Sequence, residues 1–291
     1  PGLYCRLLGW MLGIPVVHTF HGFQYKLLPT IQRWFYLFVE NVLTLLTKYH
    51  IFVGNGEKNK AKILMFLNDS NSSVVNNGID LDAIQALPLA EEVIASLDLG
   101  SRESIKIFGT LSRVSPEKGL DTLLEGFSEA IKTAPYIRLL IIGDCPDEHE
   151  KYINTVKQYI HTNGLNKVVK ILGPREDALE ILKSIDFYIS SSRSEGLPYN
   201  LLEALAVGKP LMATDIPGNN DIVRKSVEGI LVPVNLARTL AHGILTLLEL
   251  GPEERKAMQQ NGEARIRDQF SLSLMTQKTF SLYKKVLEGS S

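Results

Sequence analysis

Phe187-Tyr188-Ile189-Ser190-Ser191-Ser192-Arg193-Ser194-Glu195-Gly196-Leu197-Pro198-Tyr199-Asn200-Leu201-Leu202-Glu203-Ala204-Leu205-Ala206 passes from an apolar run through a polar turn into a run of helical period. A short apolar run, Phe187 to Ile189, ending at Ser190 reads as a strand buried on both faces, and the segment from Tyr199 reads as an amphipathic helix. Gly196 allows close approach of backbone, and Pro198 suits the first helical position. The next apolar run, 210–213, follows the helix at once. A strand, a helix and a second strand joined this tightly form a crossover unit, in which the strands are parallel and the helix covers one face.

The same alternation extends in both directions. Strands are expected at 105–108, 137–142, 168–172 and 229–232, with helices at 120–131, 148–161 and 178–182 between them. Helices at 236–248, 252–269 and 272–287 close the chain. Nearer the start, strands at 14–19, 50–53 and 74–75 alternate with a long helix and a helix at 60–67. Residues 81–104 lack strong strand signals and combine Pro88 with a polar helical stretch, as a connection between domains would. The expected fold class is α/β, with two doubly wound domains.

With 291 residues, 45% of them hydrophobic, the chain is long enough for two domains with substantial cores. Lys and Arg number 31 against 32 Asp and Glu, so no strong field advertises a nucleic-acid partner. Residues 1–62 hold Arg6, Lys26, Arg33, Lys48, Lys58, Lys60 and Lys62 against only Glu40 and Glu57. Solvated helix faces are the plain account of that imbalance, and peripheral contact with an anionic membrane is the alternative. The apolar stretch 31–53 is interrupted by Arg33, Glu40 and Lys48, which argues for a packed amphipathic helix over a spanning one. Cys5 and Cys145 form no framework, so a reducing cytoplasmic setting, with contact at the inner membrane face, is expected. A start at Pro1-Gly2-Leu3-Tyr4, without an initiator Met, looks trimmed.

In open α/β sheets ligands bind beyond the carboxyl ends of the strands, so the loops after strands are where chemistry is sought. One such loop runs from Gly109 to Gly119 and holds Arg113 and Lys118 where a helix begins. Free N–H groups and the positive dipole end favour an anion there, and the two cations suit a diphosphate. First-turn solvent residues are the plain alternative for Glu117 and Lys118. The opening loop carries Glu195, with Glu203 in the second turn of the following helix. A ligand as long as a nucleotide sugar could use both carboxylates, although a solvent-facing Glu203 is equally compatible with the pattern. His21, in Thr19-Phe20-His21-Gly22, follows a strand as well, and a structural role competes with a catalytic one. His18, His50, His149, His161 and His242 show no metal-ligand spacing, Asp80 and Asp82 form too common a pattern, and no metal is expected. Dinucleotide, P-loop and nucleophile-elbow motifs are absent from the sequence.

Gly109 to Gly119, Gly143-Asp144, Glu195 to Ala204, Gly208-Lys209-Pro210 and Ala213-Thr214-Asp215 together resemble the family-4, or group 1, retaining glycosyltransferases of the GT-B fold. That resemblance implies two Rossmann-like domains facing a cleft. Residues 1–84 would form the C-terminal part of an incomplete acceptor-side domain, 85–270 the nucleotide-sugar domain, and 271–291 a helix crossing back. By the same resemblance Arg113 and Lys118 contact the donor diphosphate, Glu203 the ribose and Glu195 the transferred sugar, with His21 facing the donor. The implied catalytic set is His21, Arg113, Lys118 and Glu195. The implied donor-binding set is Gly109, Arg113, Lys118, Gly173, Glu195, Gly196, Leu197, Pro198, Tyr199, Asn200, Leu202 and Glu203.

Asn77-Gly78-Ile79-Asp80 resembles the family's segment before the interdomain linker. The family's first strand and glycine-rich loop have no counterpart, so on the order of a hundred upstream residues would be missing. Thr19 to Phe23 and Pro217 to Val223 resemble most the members that build surface polysaccharide on lipid carriers. The implied activity is retaining, metal-independent transfer, without a cofactor, from a UDP- or GDP-sugar to a lipid-linked or glycan acceptor. A non-catalytic nucleotide-sugar-binding protein, an epimerase and a phosphorylase remain the competing functions.

Overall fold

The structure, a computed structural model, describes residues 2–22 and 29–289; Phe23, part of the resemblance above, lies outside them. The described chain opens with helix α1 (Gly2–Met11), strand β1 (Val17–Phe20), α2 (Thr30–Leu45), β2 (Tyr49–Phe52), α3 (Asn55–Leu64) and β3 (Ser72–Val74). These strands make a parallel sheet in the order β1-β2-β3. Two short helices, α4 (Leu81–Ala86) and α5 (Glu91–Ser96), lead to a larger sheet. Its elements are β4 (Lys106–Leu111), α6 (Leu120–Thr133), β5 (Ile137–Ile142), α7 (Glu150–Thr162), β6 (Val169–Gly173), α8 (Ala178–Ser184), β7 (Phe187–Ser190) and α9 (Tyr199–Ala206). Then come β8 (Leu211–Thr214), α10 (Asn219–Ile222), β9 (Ile230–Val232), α11 (Ala237–Glu249), α12 (Pro252–Gln269) and α13 (Leu272–Glu288).

The larger sheet is parallel throughout, ordered β6-β5-β4-β7-β8-β9. Its alternate residues serve two cores, because successive side chains point to opposite faces. Leu140 and Ile142 of β5 join the core under α9 and α12, while Leu139 and Ile141 join the one under α6 and α11. Helix α9 is anchored by Leu201, Leu202 and Leu205, all buried. Each such side chain contributes roughly 1.5–3 kcal/mol, enough to fix a helix of only two turns. From β4 the winding runs outward to β5 and β6, then reverses to β7, so the helices that follow β4 and β7 cover opposite faces of the sheet. That switch point is where a crevice must open.

The sheet alternation follows the sequence expectation, with four local differences. The expected connection 81–104 forms α4 and α5, whose Leu81, Ile84 and Ile94 are buried in the same core as α9. The helix expected at 60–67 begins at Asn55, because the Asp221 carboxylate of α10 accepts from the Gly56 N–H at 3.0 Å. Pro198 caps α9 instead of occupying its first position, with φ −74° and ψ 125°. Helix α1 was not expected. Its Arg6 makes a buried bidentate ion pair with Glu40 of α2, at 2.9 and 3.0 Å.

That pair inverts the usual pattern for α2. Leu37 and Leu43 pack inward, as an amphipathic helix should, but Ile31, Trp34, Phe35, Phe38, Val42 and Leu45 are exposed. Helix α13 lies against the first sheet, with Val286 packed on Tyr49, Ile51 and Val75. Its start is fixed by the Ile79 N–H to Phe270 O and Leu272 N–H to Ile79 O hydrogen bonds, both 2.9 Å. No helix among the described residues is long and apolar enough to cross a membrane.

Candidate functional site

The loop after β4 folds back on the loop after β5, with the Ser112 N–H bonded to Ile142 O and the Val114 N–H to Asp144 O, each at 2.8 Å. It then makes a 3₁₀ turn over Pro116–Lys118 and enters α6 through Gly119 at φ +63°. Glycine is required there twice over: the dihedral is left-handed, and a Cβ would stand 2.4 Å from Ser191 O. The loops after β4 and β7 therefore meet backbone against backbone. On the other side, a Cβ on Gly196 would stand 2.4 Å from His21 O, and buried Asn77 donates from Nδ2 to Leu197 O at 2.7 Å. The first sheet thus supplies one wall of the crevice.

Between these walls lies a cavity of about 370 Å³ lined by His21, Asn77, Ser112, Arg113, Lys118 and Glu195 to Asn200, with Leu111 and Glu203. The Lys118 ammonium and Glu195 carboxylate, both largely buried, pair at 2.7 Å. Arg113 is half-exposed and reaches Glu117 only at 3.4 Å, which leaves its guanidinium free to turn toward a ligand. Burial lifts the Glu203 carboxyl above the usual carboxylate range. Burial and then the Glu203 charge push the Tyr199 phenol up. Ser112 Oγ and Asn200 Oδ1 line the cavity without a hydrogen-bond partner, although Asn200 Nδ2 donates to Leu111 O at 2.6 Å. A cavity with two cations, two carboxylates and unused neutral polar atoms, beside the N-termini of α6 and α9, suits a long ligand that is anionic in the middle and hydroxylated at both ends.

Of the residues expected to bind a donor, nine stand in this lining along with His21, and three do not. Gly109 sits inside β4, where a Cβ would meet Ile185 at 2.5 Å, so it faces the core. Leu202 points inward from α9 and is fully buried. Gly173 ends the edge strand β6, two strands away from β4, and its carbonyl accepts from the Gly143 N–H at 2.9 Å. Sequence reasoning passed over Ser112 and Asn77 as site residues. Ser112 stood within the flagged loop, but nothing in the sequence brings Asn77 to a segment 120 residues away.

A larger hollow, about 570 Å³, lies where α13 passes residues 79–82. Its Arg267 and Asp82 satisfy each other at 2.9 Å, both exposed, and the cations of the switch point are not there. Chemistry therefore selects the smaller cavity. Among the described residues no group of three or more His, Cys, Asp or Glu is placed to hold a metal ion.

The family model of glycosyl transferases group 1 matches residues 96–265. The chain is 26% identical over 295 residues to the UDP-Gal:alpha-D-GlcNAc-diphosphoundecaprenol alpha-1,3-galactosyltransferase of Escherichia coli, covering 97% of this chain and 72% of that protein. It is 28% identical over 237 residues to the alpha-monoglucosyldiacylglycerol synthase of Streptococcus pneumoniae, covering 76% of this chain and 51% of that one. Among solved structures it superposes on Anabaena HepE, determined with UDP and glucose, at a TM-score of 0.86 and 21% identity, covering 97% and 75%. Sucrose-phosphate synthase from Thermosynechococcus elongatus gives a TM-score of 0.82 at 19% identity, covering 99% and 72%. These likenesses show the α/β GT-B fold.

Proposed function

The chain belongs to the group 1 glycosyl transferases, and from that premise we propose that it moves a sugar from a UDP- or GDP-sugar to a lipid-linked or glycan acceptor in surface glycan synthesis. The reaction proceeds with retention at the anomeric carbon and without a metal ion or cofactor. Residues 1–84 are the acceptor-side unit, 85–270 the donor unit and 271–291 the helix that returns to the first. The observation that carries this reading is the convergence of Arg113, Lys118, Glu195 and Glu203 on one switch-point cavity. The relatives' action on a diphosphoundecaprenol-linked sugar and in making a glucosyl lipid supports the acceptor class.

Cleavage of the sugar–phosphate bond leaves new negative charge on the diphosphate. Arg113, Lys118 and the N-terminal N–H groups of α6 and α9 stabilise that charge most strongly as it develops. A diphosphate competes with Glu195 for the Lys118 ammonium, and Glu195, released from its partner, accepts hydrogen bonds from hydroxyls of the transferred sugar. Glu203 accepts from the ribose hydroxyls, and His21 faces the sugar from the first sheet. The acceptor-side unit, residues 1–84, also touches an anionic membrane surface, where a lipid-linked acceptor resides.

The test is a screen of UDP- and GDP-sugars with a polyprenyl-diphosphate-linked sugar acceptor, with chelator present and product stereochemistry read by NMR. We expect one donor to be transferred with retention, and Lys118→Ala or Arg113→Ala to lower turnover by about 10²-fold or more with the fold intact. Inverted product, a chelator-sensitive reaction, donor interconversion without transfer, or unchanged turnover in both variants would each contradict the corresponding part of the reading.

A further inference from the structure

The 3₁₀ turn that carries Lys118 is held by the neighbouring loop at three successive carbonyls. Pro116 O accepts from Arg193 Nη1 at 2.6 Å, Glu117 O from the Arg193 backbone N–H at 2.7 Å, and Lys118 O from the Ser191 hydroxyl at 2.8 Å. The Arg193 guanidinium reaches further. Its Nη2 donates to the Asp121 carboxylate at 2.6 Å and to Thr122 Oγ1 at 2.9 Å, in the first turn of α6. Its Nε donates to Asn235 Oδ1 at 2.6 Å, in the turn after β9, where Asn235 holds φ +60°.

One side chain therefore ties together the ends of β4, β7 and β9, at a position two residues from Glu195. Asp121 is held in turn by the Tyr152 hydroxyl at 2.7 Å. Burial opposes ionisation of Asp121, yet the hydrogen bonds from Arg193 and Tyr152 keep its carboxyl below the usual range. Arg193 does not line the donor cavity. Its planar fork supplies bonds in three directions at once, which a lysine ammonium on a single flexible stem cannot reproduce.

We propose that Arg193 is a positioning residue that acts through Lys118, fixing the ammonium in register with Glu195 for the donor diphosphate. The role rests on the donor reading above. Displacement of the Lys118 turn by even an ångström would lose most of what a preplaced cation provides, since it acts only where charge develops.

The test is calorimetric titration of the whole chain with UDP and with GDP, for wild type, Arg193→Ala, Arg193→Lys, Lys118→Ala and the Arg193→Ala/Lys118→Ala double variant, alongside melting curves. We expect each single variant, Arg193→Lys included, to bind about 10-fold or more weakly, and the double variant to lie within about twofold of Lys118→Ala, because groups that act through one another do not add. Should Arg193→Ala fail to fold, the same comparison is made with Arg193→Lys. Losses that multiply in the double variant, or full binding by Arg193→Lys, overturn the positioning role alone. A wild-type chain that binds neither nucleotide overturns the donor reading, and the role of Arg193 with it.

Discussion

Glu203 and Glu195 are both carboxylates of one cavity, and their surroundings set them to different work. Glu195 has a cation 2.7 Å away. Glu203 has burial as the single cause acting on its titration, so its carboxyl is raised above 4.5. A carboxyl raised in the folded state binds its proton more tightly there than in the unfolded chain. Folding is therefore favoured fully below pH 4.5, and that contribution is lost as the pH climbs through the raised folded value. At neutral pH the ionised Glu203 is a cost to stability, retained because a charged acceptor binds hydroxyls better than a neutral one. The neutral isostere Glu203→Gln should melt higher than wild type at pH 7 and show no such gain at pH 4. It should also bind UDP or GDP roughly 10-fold more weakly, the worth of a charge-assisted hydrogen bond. Differential scanning calorimetry and isothermal titration read the two effects; a lower melting point at pH 7, or unchanged affinity, contradicts this account of Glu203.

Among the elements, α6 bears the heaviest duty, since its N-terminus faces the cavity while its middle packs on α11. Gly126 is the contact: a Cβ there would stand 2.7 Å from Ala237 O and 2.8 Å from Leu240 Cβ. Gly126→Val should cost about 1–3 kcal/mol by overpacking, which the helix propensity regained from glycine does not offset. It should leave UDP affinity within about twofold, because Gly126 lies about 10 Å along the axis from Gly119. Unaltered melting would contradict the packing; a large affinity loss would mean that α6 transmits strain to Lys118. The elements also show what can be read without coordinates. Strands 105–108 and 187–190 are legible because short apolar runs end in abrupt turns, and the loops they deliver carry Arg113, Lys118 and Glu195 to one place. Asn55, as the start of α3, is not legible, because its cap is Asp221, far along the chain. Nor is the pairing of Lys118 with Glu195, 77 residues apart, since charge type is written in the sequence and distance is not. Gly109 and Leu202 belong to the site's segments by resemblance, but neither lines the cavity: the strand position of Gly109 faces Ile185 and the Leu202 side chain is buried in the core, and facing of this kind is not written in a motif.

Across the whole molecule, charge and apolar surface are distributed unevenly, and both excesses fall near the start of the chain. Residues 1–62 carry seven Lys and Arg against two Asp and Glu. In the same region α1 and α2 keep the Arg6–Glu40 ion pair inside and turn apolar side chains outward. On α2 the exposed residues Ile31, Trp34, Phe35, Phe38, Val42 and Leu45 follow helical spacing, so they form one continuous stripe, and Trp10 and Met11 of α1 are exposed as well. An apolar stripe of this length, outside a sheet and flanked by basic residues, fits the headgroup boundary of an anionic bilayer, where each nearby Lys or Arg adds about 1 kcal/mol. The chain's two tryptophans, Trp10 and Trp34, both lie in these helices, where their emission would report such a contact directly. Anionic phospholipid vesicles should shift their emission to the blue, and salt should weaken the binding by screening its electrostatic part. Trp34→Ser with Phe38→Ser should reduce vesicle affinity about 10-fold or more, since each aromatic buried contributes roughly 1.5–3 kcal/mol. Emission that stays unshifted at low salt, or binding that survives the double substitution, would mean that this stripe does not meet a membrane, and the acceptor would then have to reach the cavity from solution.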